Sequence, residues 1–184
     1  MDLIESFKQA EQILSPWAGE VQYPAPERMD VAISDKWLKA AVLALRDAHW
    51  GYLSAITGLD HPGTVEPASE EQHLKGVSHE GETGDENKEG TLEVLYHFCQ
   101  AAGILTLRVS VRYSFPELPS ICSILPAATL YERELIEMFG LRIVGTPNVD
   151  KLLLPDDWPD GVFPLRKSFH GLSKEEITGM ETKK

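Results

Sequence analysis

Residues 104–113, ILTLRVSVRY, have the clearest strand pattern of the sequence. Apolar side chains alternate with polar ones along it: Leu105, Leu107, Val109 and Val111 against Thr106, Arg108, Ser110 and Arg112. Side chains of a strand point to opposite faces with a period of two, so one set faces a core and the other faces solvent. The segment therefore predicts a sheet with one buried face.

Two further strands lie upstream and are separated by an acidic insert. Residues 52–59 and 91–99 have strand patterns, and the simplest arrangement joins them as a hairpin with an expanded turn. The insert, residues 61–90, carries eight acids against two lysines, which gives −6 of the total charge of −12. Its polar composition cannot offset the entropy of ordering the chain, so we predict a mobile loop.

Three segments have apolar residues at three- and four-residue spacing, which predicts amphipathic helices. They are residues 3–14, residues 37–45 and the stretch that Pro126 opens and Gly140 closes. No linker divides the chain. The patterns predict an α+β fold of two layers, with helices packed on one face of a mostly antiparallel sheet. Residues 1–145 are predicted to form this domain, and residues 146–184 an extended, proline-rich docking tail.

Composition and charge disfavour several classes of function. A net charge of −12 and a pI near 4.9 argue against nucleic acid and anionic lipid as partners, because both need a basic face. The first residues lack the cationic start of a signal peptide, and no run approaches the roughly 18 to 20 apolar residues that span a bilayer. We therefore expect a soluble chain without direct membrane insertion.

The sequence offers no ligand set for a metal or cluster. Cys99 and Cys122 stand apart from any second cysteine or histidine cluster, whereas zinc and iron–sulfur sites need about four ligands. The histidines of the insert, His61, His73 and His79, have no metal-ligand spacing and are predicted to be solvated. No glycine-rich phosphate loop or nucleophile elbow occurs. No catalytic, cofactor or metal site is predicted.

The third helix carries a charged face formed by Glu132, Arg133, Glu134 and Glu137. One interpretation is a solvated surface on which Arg133 and Glu137, four residues apart, form an ion pair. A second is a charge set that fixes register against a partner protein. An acid/base pair of Glu132 and Glu134 is disfavoured, because residues two apart on a helix point away from each other.

The tail contains the sequence LLLPDDWPDGVFPLRKSF at residues 152–169. Its prolines exclude a helix or a central strand, yet it is too apolar for a solvated disordered segment. It could lie on a partner, where a proline-stiffened segment with aromatic anchors binds at low entropic cost, or pack back onto its own sheet. Both alternatives are open from composition.

Several motifs resemble the 30-kilodalton subunit of respiratory complex I, a module also present in energy-converting membrane-bound hydrogenases. They are LYERE at 130–134, EMFG at 137–140, LLLPDDW at 152–158 and PLRK at 164–167, preceded by SAITGLD at 54–60, VLYHF at 94–98 and LPS at 118–120. The resemblance implies a non-redox subunit of the peripheral arm. Such a subunit docks on the large, hydrogenase-like subunit of the quinone site and contacts the small iron–sulfur subunit.

The resemblance also implies where and how the chain works. It would bind no cofactor itself, its partners would carry iron–sulfur clusters, and it would be cytoplasmic, held at the inner face of the cell membrane through the complex. The implied interface combines the charged helix with the tail: Glu132, Arg133, Glu134, Glu137, Leu154, Pro155, Trp158, Phe163, Pro164, Leu165, Arg166, Lys167 and Phe169. Thr146, Asp150 and Ser168 depart from the respiratory pattern. The alternative is the equivalent subunit of an energy-converting [NiFe] hydrogenase, and the electron donor, acceptor and coupling ion stay open.

Overall fold

The computed structural model describes residues 2–63, 89–173 and 177. The α-helices and strands within these ranges follow in chain order: α1 Leu3–Leu14, β1 Ala18–Ala25, β2 Arg28–Ile33, α2 Leu38–Asp47, β3 Tyr52–His61, β4 Thr91–Gln100, β5 Gly103–Arg112, β6 Glu117–Pro119, α3 Ala128–Phe139 and β7 Arg142–Val144. A 3₁₀ helix at Asp35–Trp37 leads into α2. None of the described helices is long and apolar enough to cross a bilayer.

The main sheet has five strands in the order β1-β2-β5-β4-β3. Only the β2–β5 pair is parallel, and the other three pairs are antiparallel. The predicted α+β class with a mostly antiparallel sheet is therefore confirmed. The predicted hairpin is also present, because β3 and β4 pair from Tyr52↔Cys99 to His61↔Thr91. Residues 64–88, the greater part of the predicted mobile insert, lie outside the described residues.

The core lies between one face of the main sheet and the three helices. The alternation of β5 sets its buried face, since Leu105, Leu107 and Val109 are fully buried and join one apolar cluster with residues of all three helices. Trp50, three residues after α2, is also buried, and its indole N–H donates to the carbonyl of Ser6 at 2.9 Å. Burial of this apolar surface is the main stabilising contribution to the fold.

Helix α3 is held on β3 by a close approach that needs glycine. A Cβ atom at Gly58 would come within 2.5 Å of the Phe139 ring, so the missing side chain leaves room for that ring. The Tyr131 hydroxyl also donates to the carbonyl of Ser54 at 2.9 Å. These two contacts fix the position of α3 against the edge strand of the sheet.

Short strands flank α3 at both ends. β6 precedes it, β7 follows it, and the two pair in parallel from Glu117↔Arg142 to Pro119↔Val144. The backbone N–H of Ser120 donates to the carbonyl of Val144 at 2.8 Å, which extends the pairing. The chain therefore enters and leaves α3 through one small sheet, and the start of the tail is fixed there.

The opposite face of the main sheet carries an ion network. Arg108 donates to both carboxylate oxygens of Glu93 at 2.8 and 3.0 Å and to Asp30 at 3.3 Å. His61 Nε2 lies 3.0 Å from Glu93. The His61 side chain is 50 % exposed, so this histidine is solvated as predicted, although it lies at the end of β3 rather than in a loop. His73 and His79 lie outside the described residues. Burial of Glu93 opposes its ionisation, but the hydrogen bonds from Arg108 and His61 outweigh it and lower the pKa of Glu93.

We expect Gly58→Ala to lower the free energy of unfolding by about 1–3 kcal/mol, because the new Cβ collides with the Phe139 ring. Urea unfolding followed by circular dichroism measures this loss. Phe139→Leu removes the ring, so the cost of Gly58→Ala should shrink in the Phe139→Leu background. Equal costs in both backgrounds would show that the ring contact does not set this position.

The Glu93 network should make stability depend on pH in acid. Its folded-state pKa lies below the ordinary value of 4.5, so its stabilising contribution is fully present above about pH 4.5 and is lost as the pH falls through the folded pKa. Glu93→Gln should therefore be less stable than the wild type at pH 7, and the difference should shrink below pH 4.5. A difference that stays constant between pH 7 and pH 3 would contradict this.

Candidate docking surface of the third helix and the tail

The first charge of the α3 face, Glu132, is buried and has its partners inside the domain. Its carboxylate accepts hydrogen bonds from the Ser120 hydroxyl and the Ile121 backbone N–H, both at 2.8 Å, and from the Cys122 thiol at 3.1 Å. Burial and the nearby Glu132 charge raise the pKa of the buried Tyr96 hydroxyl. Glu132 therefore braces the loop between β6 and α3.

Arg133 holds the beginning of the tail. Its guanidinium donates to the backbone carbonyls of Asp150 at 2.8 Å and Lys151 at 2.7 Å. The Arg133–Glu137 ion pair, which belonged to one interpretation of this face, is not among the salt bridges of the described residues. Both side chains turn instead to backbone groups of the tail.

Glu137 holds the next turn of the tail through three consecutive backbone N–H groups. Its carboxylate, on a side chain that is 8 % exposed, accepts from Leu152 at 2.9 Å, Leu153 at 2.8 Å and Leu154 at 3.3 Å. Hydrogen bonds to an ionised carboxylate are shorter and stronger than neutral ones. They also satisfy donors that this irregular segment cannot pair with a strand or helix of its own.

The middle of the tail closes on itself as a series of turns. The Lys151 ammonium donates to the carbonyls of Asp156 at 3.0 Å and Trp158 at 2.8 Å. The Trp158 indole N–H donates to Val162 at 2.9 Å, and its ring lies 6.2 Å from that of Phe169. The tail is therefore more compact than the predicted extended segment, and that prediction is not confirmed.

Arg166 attaches the end of the tail to the C-terminus of α3. Its Nε donates to the carbonyl of Phe139 at 2.7 Å, where a helix presents unpaired carbonyls and a partial negative charge. Its guanidinium lies over the rings of Tyr113, at 4.9 Å, and Phe163, at 5.2 Å. The backbone N–H of Leu165 also donates to Met138, at 3.2 Å.

The last anchor is Asp60, near the end of β3. It is buried, and its carboxylate accepts the backbone N–H of Lys167 at 2.7 Å and the hydroxyl of Tyr113. Burial and this hydrogen bond to Asp60 raise the pKa of Tyr113 to about 12. Sequence reasoning missed Asp60 and Tyr113 as anchors, because nothing in their spacing relates them to a tail that lies far along the chain.

Gly140 joins α3 to this arrangement. Its φ of +69° is the left-handed conformation that ends helices, as predicted from the sequence, and a Cβ there would lie 2.4 Å from the Phe163 ring. The Phe163 ring of the tail thus covers the end of α3 directly. Of the two alternatives for the tail, the contacts of residues 150–167 agree with packing on its own domain. The tail contacts α3 and the end of β3, however, rather than the face of the sheet.

The structure thus brings most of the predicted interface residues together, on α3 and the tail. Several are half-buried: Arg133, Glu134, Leu154, Trp158, Phe163, Pro164, Arg166 and Phe169. Others are exposed: Pro155, Leu165 and Lys167. Their role as partner contacts stays a prediction. Within the described ranges, no three His, Cys, Asp or Glu side chains converge as metal ligands.

Comparison with known proteins identifies the family. Residues 31–175 match the family model described as the 30-kilodalton subunit of the respiratory-chain NADH dehydrogenase. The chain belongs to that family. The resemblance of the motifs on α3 and the tail is therefore confirmed, and the matched range contains every residue of α3 and every tail anchor described above.

Individual relatives come from two kinds of complex. The chain is 35 % identical over 108 residues to an NADH-quinone oxidoreductase subunit of Roseiflexus castenholzii, a match that covers 58 % of this chain and 57 % of that protein. It is 51 % identical over 63 residues to formate hydrogenlyase subunit 5 of Escherichia coli, which covers 34 % of this chain but only 11 % of that protein. The chain thus spans little more than half of the first relative and a small part of the second.

A solved structure shares the fold of this member of the 30-kilodalton family. A chain of the membrane-bound sulfane sulfur reductase, an archaeal respiratory membrane complex, superposes with a TM-score of 0.56 at 19 % identity. The superposition covers 98 % of this chain and 92 % of that one. At this level of identity the likeness concerns the fold alone.

We expect Glu137→Gln to loosen the tail, because a neutral amide accepts fewer and weaker hydrogen bonds from the three backbone N–H groups. Loss of a charge-assisted interaction costs about 1.5–3 kcal/mol, so trypsin should cleave after Lys151 at least roughly tenfold faster. Glu134→Gln is the matched control on the same helix, since Glu134 is half-buried and is not among the side chains that bind the tail backbone in the described ranges. Equal cleavage rates in the two variants would mean that Glu137 does not hold the tail.

Proposed function

We propose that the chain is a non-redox subunit in the peripheral arm of a complex I-like NADH:quinone oxidoreductase. In this proposal it docks on the large, hydrogenase-like subunit of the quinone site and contacts the small iron–sulfur subunit. Membership of the 30-kilodalton family supports the kind of complex. The ordered surface of α3 and the tail supports docking as the role of the chain.

The observation that carries the proposal is that four residues of the domain and the tail fix the tail on the domain. Arg133, Glu137, Arg166 and Asp60 each take part in a hydrogen bond that holds the tail on the domain. A segment ordered before binding loses little conformational entropy when it meets a partner. The domain therefore offers a preformed surface, which suits a permanent subunit better than a transient binder.

In this proposal the chain supports electron transfer by position rather than by chemistry. It would hold the large and small subunits in register, so that the iron–sulfur clusters carried by the partners and the quinone site keep their distances. No cofactor is assigned to this chain. Attachment through the complex would place it on the cytoplasmic, inner face of the cell membrane, where the complex couples electron transfer to ion translocation.

The alternative is the equivalent subunit of a membrane-bound energy-converting [NiFe] hydrogenase. The observation that favours it is the 51 % identity over 63 residues to a formate hydrogenlyase subunit, against 35 % over 108 residues to the subunit of a quinone oxidoreductase. Pairs of nickel-ligating cysteines in the large subunit encoded beside this chain would favour the hydrogenase. Their absence would favour the quinone-reducing complex.

We expect deletion of residues 152–184 to abolish co-purification of the tagged chain with the large subunit, while circular dichroism still reports a folded domain. The Tm should fall, because Phe163 and Arg166 no longer cover the end of α3. A chain truncated after Ser173 keeps all four anchoring contacts and is the matched control. Assembly of the 152–184 deletion at the wild-type level would refute the docking role of the tail.

A further inference from the structure

Three apolar side chains of the tail remain exposed beside the residues that anchor it. Val149 is 67 % exposed, Leu153 is 61 % exposed and Leu165 is 51 % exposed. We call these three residues the outer ridge. Moving exposed aliphatic groups of this size out of water lowers the free energy, so a surface that presents several of them is typical of a protein interface.

Leu153 and Leu165 lie at anchored points of the backbone, and Val149 lies directly beside one. The backbone N–H of Leu153 donates to Glu137, and that of Leu165 donates to the carbonyl of Met138. Val149 directly precedes Asp150 and Lys151, whose backbone carbonyls Arg133 binds. The backbone at these positions is therefore fixed while the side chains stay free to meet another surface.

The charged motif has the opposite arrangement. Glu132 and Glu137 are 2 % and 8 % exposed, and their carboxylates are occupied by groups of this chain. Arg133 and Arg166 are half-buried and bind backbone carbonyls. A partner could reach the two glutamates only by displacing these groups, and the two arginines already have acceptors on this chain, so we infer that the energetic role of the four charges lies inside the domain.

We propose that the outer ridge makes the principal contact with the large subunit, and that Glu137, Arg133 and Arg166 are positioning residues that hold the ridge in place. The ridge would enter an apolar groove on that subunit. The exposed Lys167, whose backbone is fixed on Asp60, would meet a carboxylate at the rim. This inference rests on the proposed function and adds which atoms of the tail are recognised.

Two observations favour a large protein partner over other occupants. The family match extends through the ridge, and in formate hydrogenlyase subunit 5 the matched segment is only 11 % of a single chain, so there the related segment is joined to a much larger remainder. The net charge of −12 disfavours an anionic membrane surface. A second copy of this chain is the remaining occupant, and the oligomeric state of the free chain tests it.

The test compares full-length variants co-expressed with the large subunit. Leu153→Asp/Leu165→Asp should weaken the association at least roughly 30-fold, as loss of central apolar anchors does, while trypsin cleavage after Lys151 stays at the wild-type rate. Glu137→Gln should weaken association and speed cleavage together, which separates positioning from contact. Ile4→Asp is the control, because Ile4 on α1 is 64 % exposed but distant in sequence from the tail.

A photo-crosslinking residue at position 165 gives a second readout that does not depend on the stability of a variant. We expect it to join the chain to the large subunit in the assembled complex, and the same residue at position 4 to give no such product. Cross-linking at position 165 to a second copy, or association of Leu153→Asp/Leu165→Asp at the wild-type level, would contradict the proposal that the outer ridge contacts the large subunit. Equal weakening by Ile4→Asp would overturn it as well.

The outcomes also separate this inference from the proposed function. If the ridge variants bind normally but deletion of residues 152–184 abolishes assembly, the tail docks through other residues and only the ridge assignment fails. If the deletion itself still assembles, the docking function fails with it.

Discussion

The arrangement of the tail depends on one carboxylate, that of Glu137, which accepts three consecutive backbone N–H groups at residues 152–154. The prolines that follow these residues in the tail, from Pro155 on, prevent a helix or a central strand, so the backbone donors need partners from elsewhere. Glu137 supplies them from a helix that Gly58 seats closely on the sheet. The position of the tail therefore follows from the packing of α3, and the packing of α3 from a glycine in β3.

Much of the fold could be predicted because its signals are local. The alternation of residues 104–113 indicated a strand with one buried face, and Gly140 indicated the end of α3. The parallel pairing of β2 with β5 could not be predicted in the same way, because it joins segments far apart in the chain and leaves no periodic trace. The hairpin of β3 and β4 could be predicted despite the long insert between them, because the entropic cost of closing a loop rises only slowly with its length.

The candidate surface was only partly predictable. The motifs located α3 and the tail, but Arg133 and Glu137 have the same spacing as an ordinary surface ion pair. Their actual partners are backbone groups 15 to 18 residues further along the chain, and backbone atoms carry no sequence signal. Asp60 is more remote still, 107 residues from Lys167. A charged motif can thus be recognised from sequence while the group it binds cannot.

Everything proposed for the tail requires that it is ordered on its own domain before any partner binds. Hydrogen exchange of the free wild-type chain, followed residue by residue, is the decisive experiment. We predict that the backbone amides of Leu152, Leu153 and Lys167 exchange much more slowly than those of an unfolded peptide, since each donates to a carboxylate of the domain. Exchange of these three amides at the unfolded rate would show that the free tail is not held on the domain.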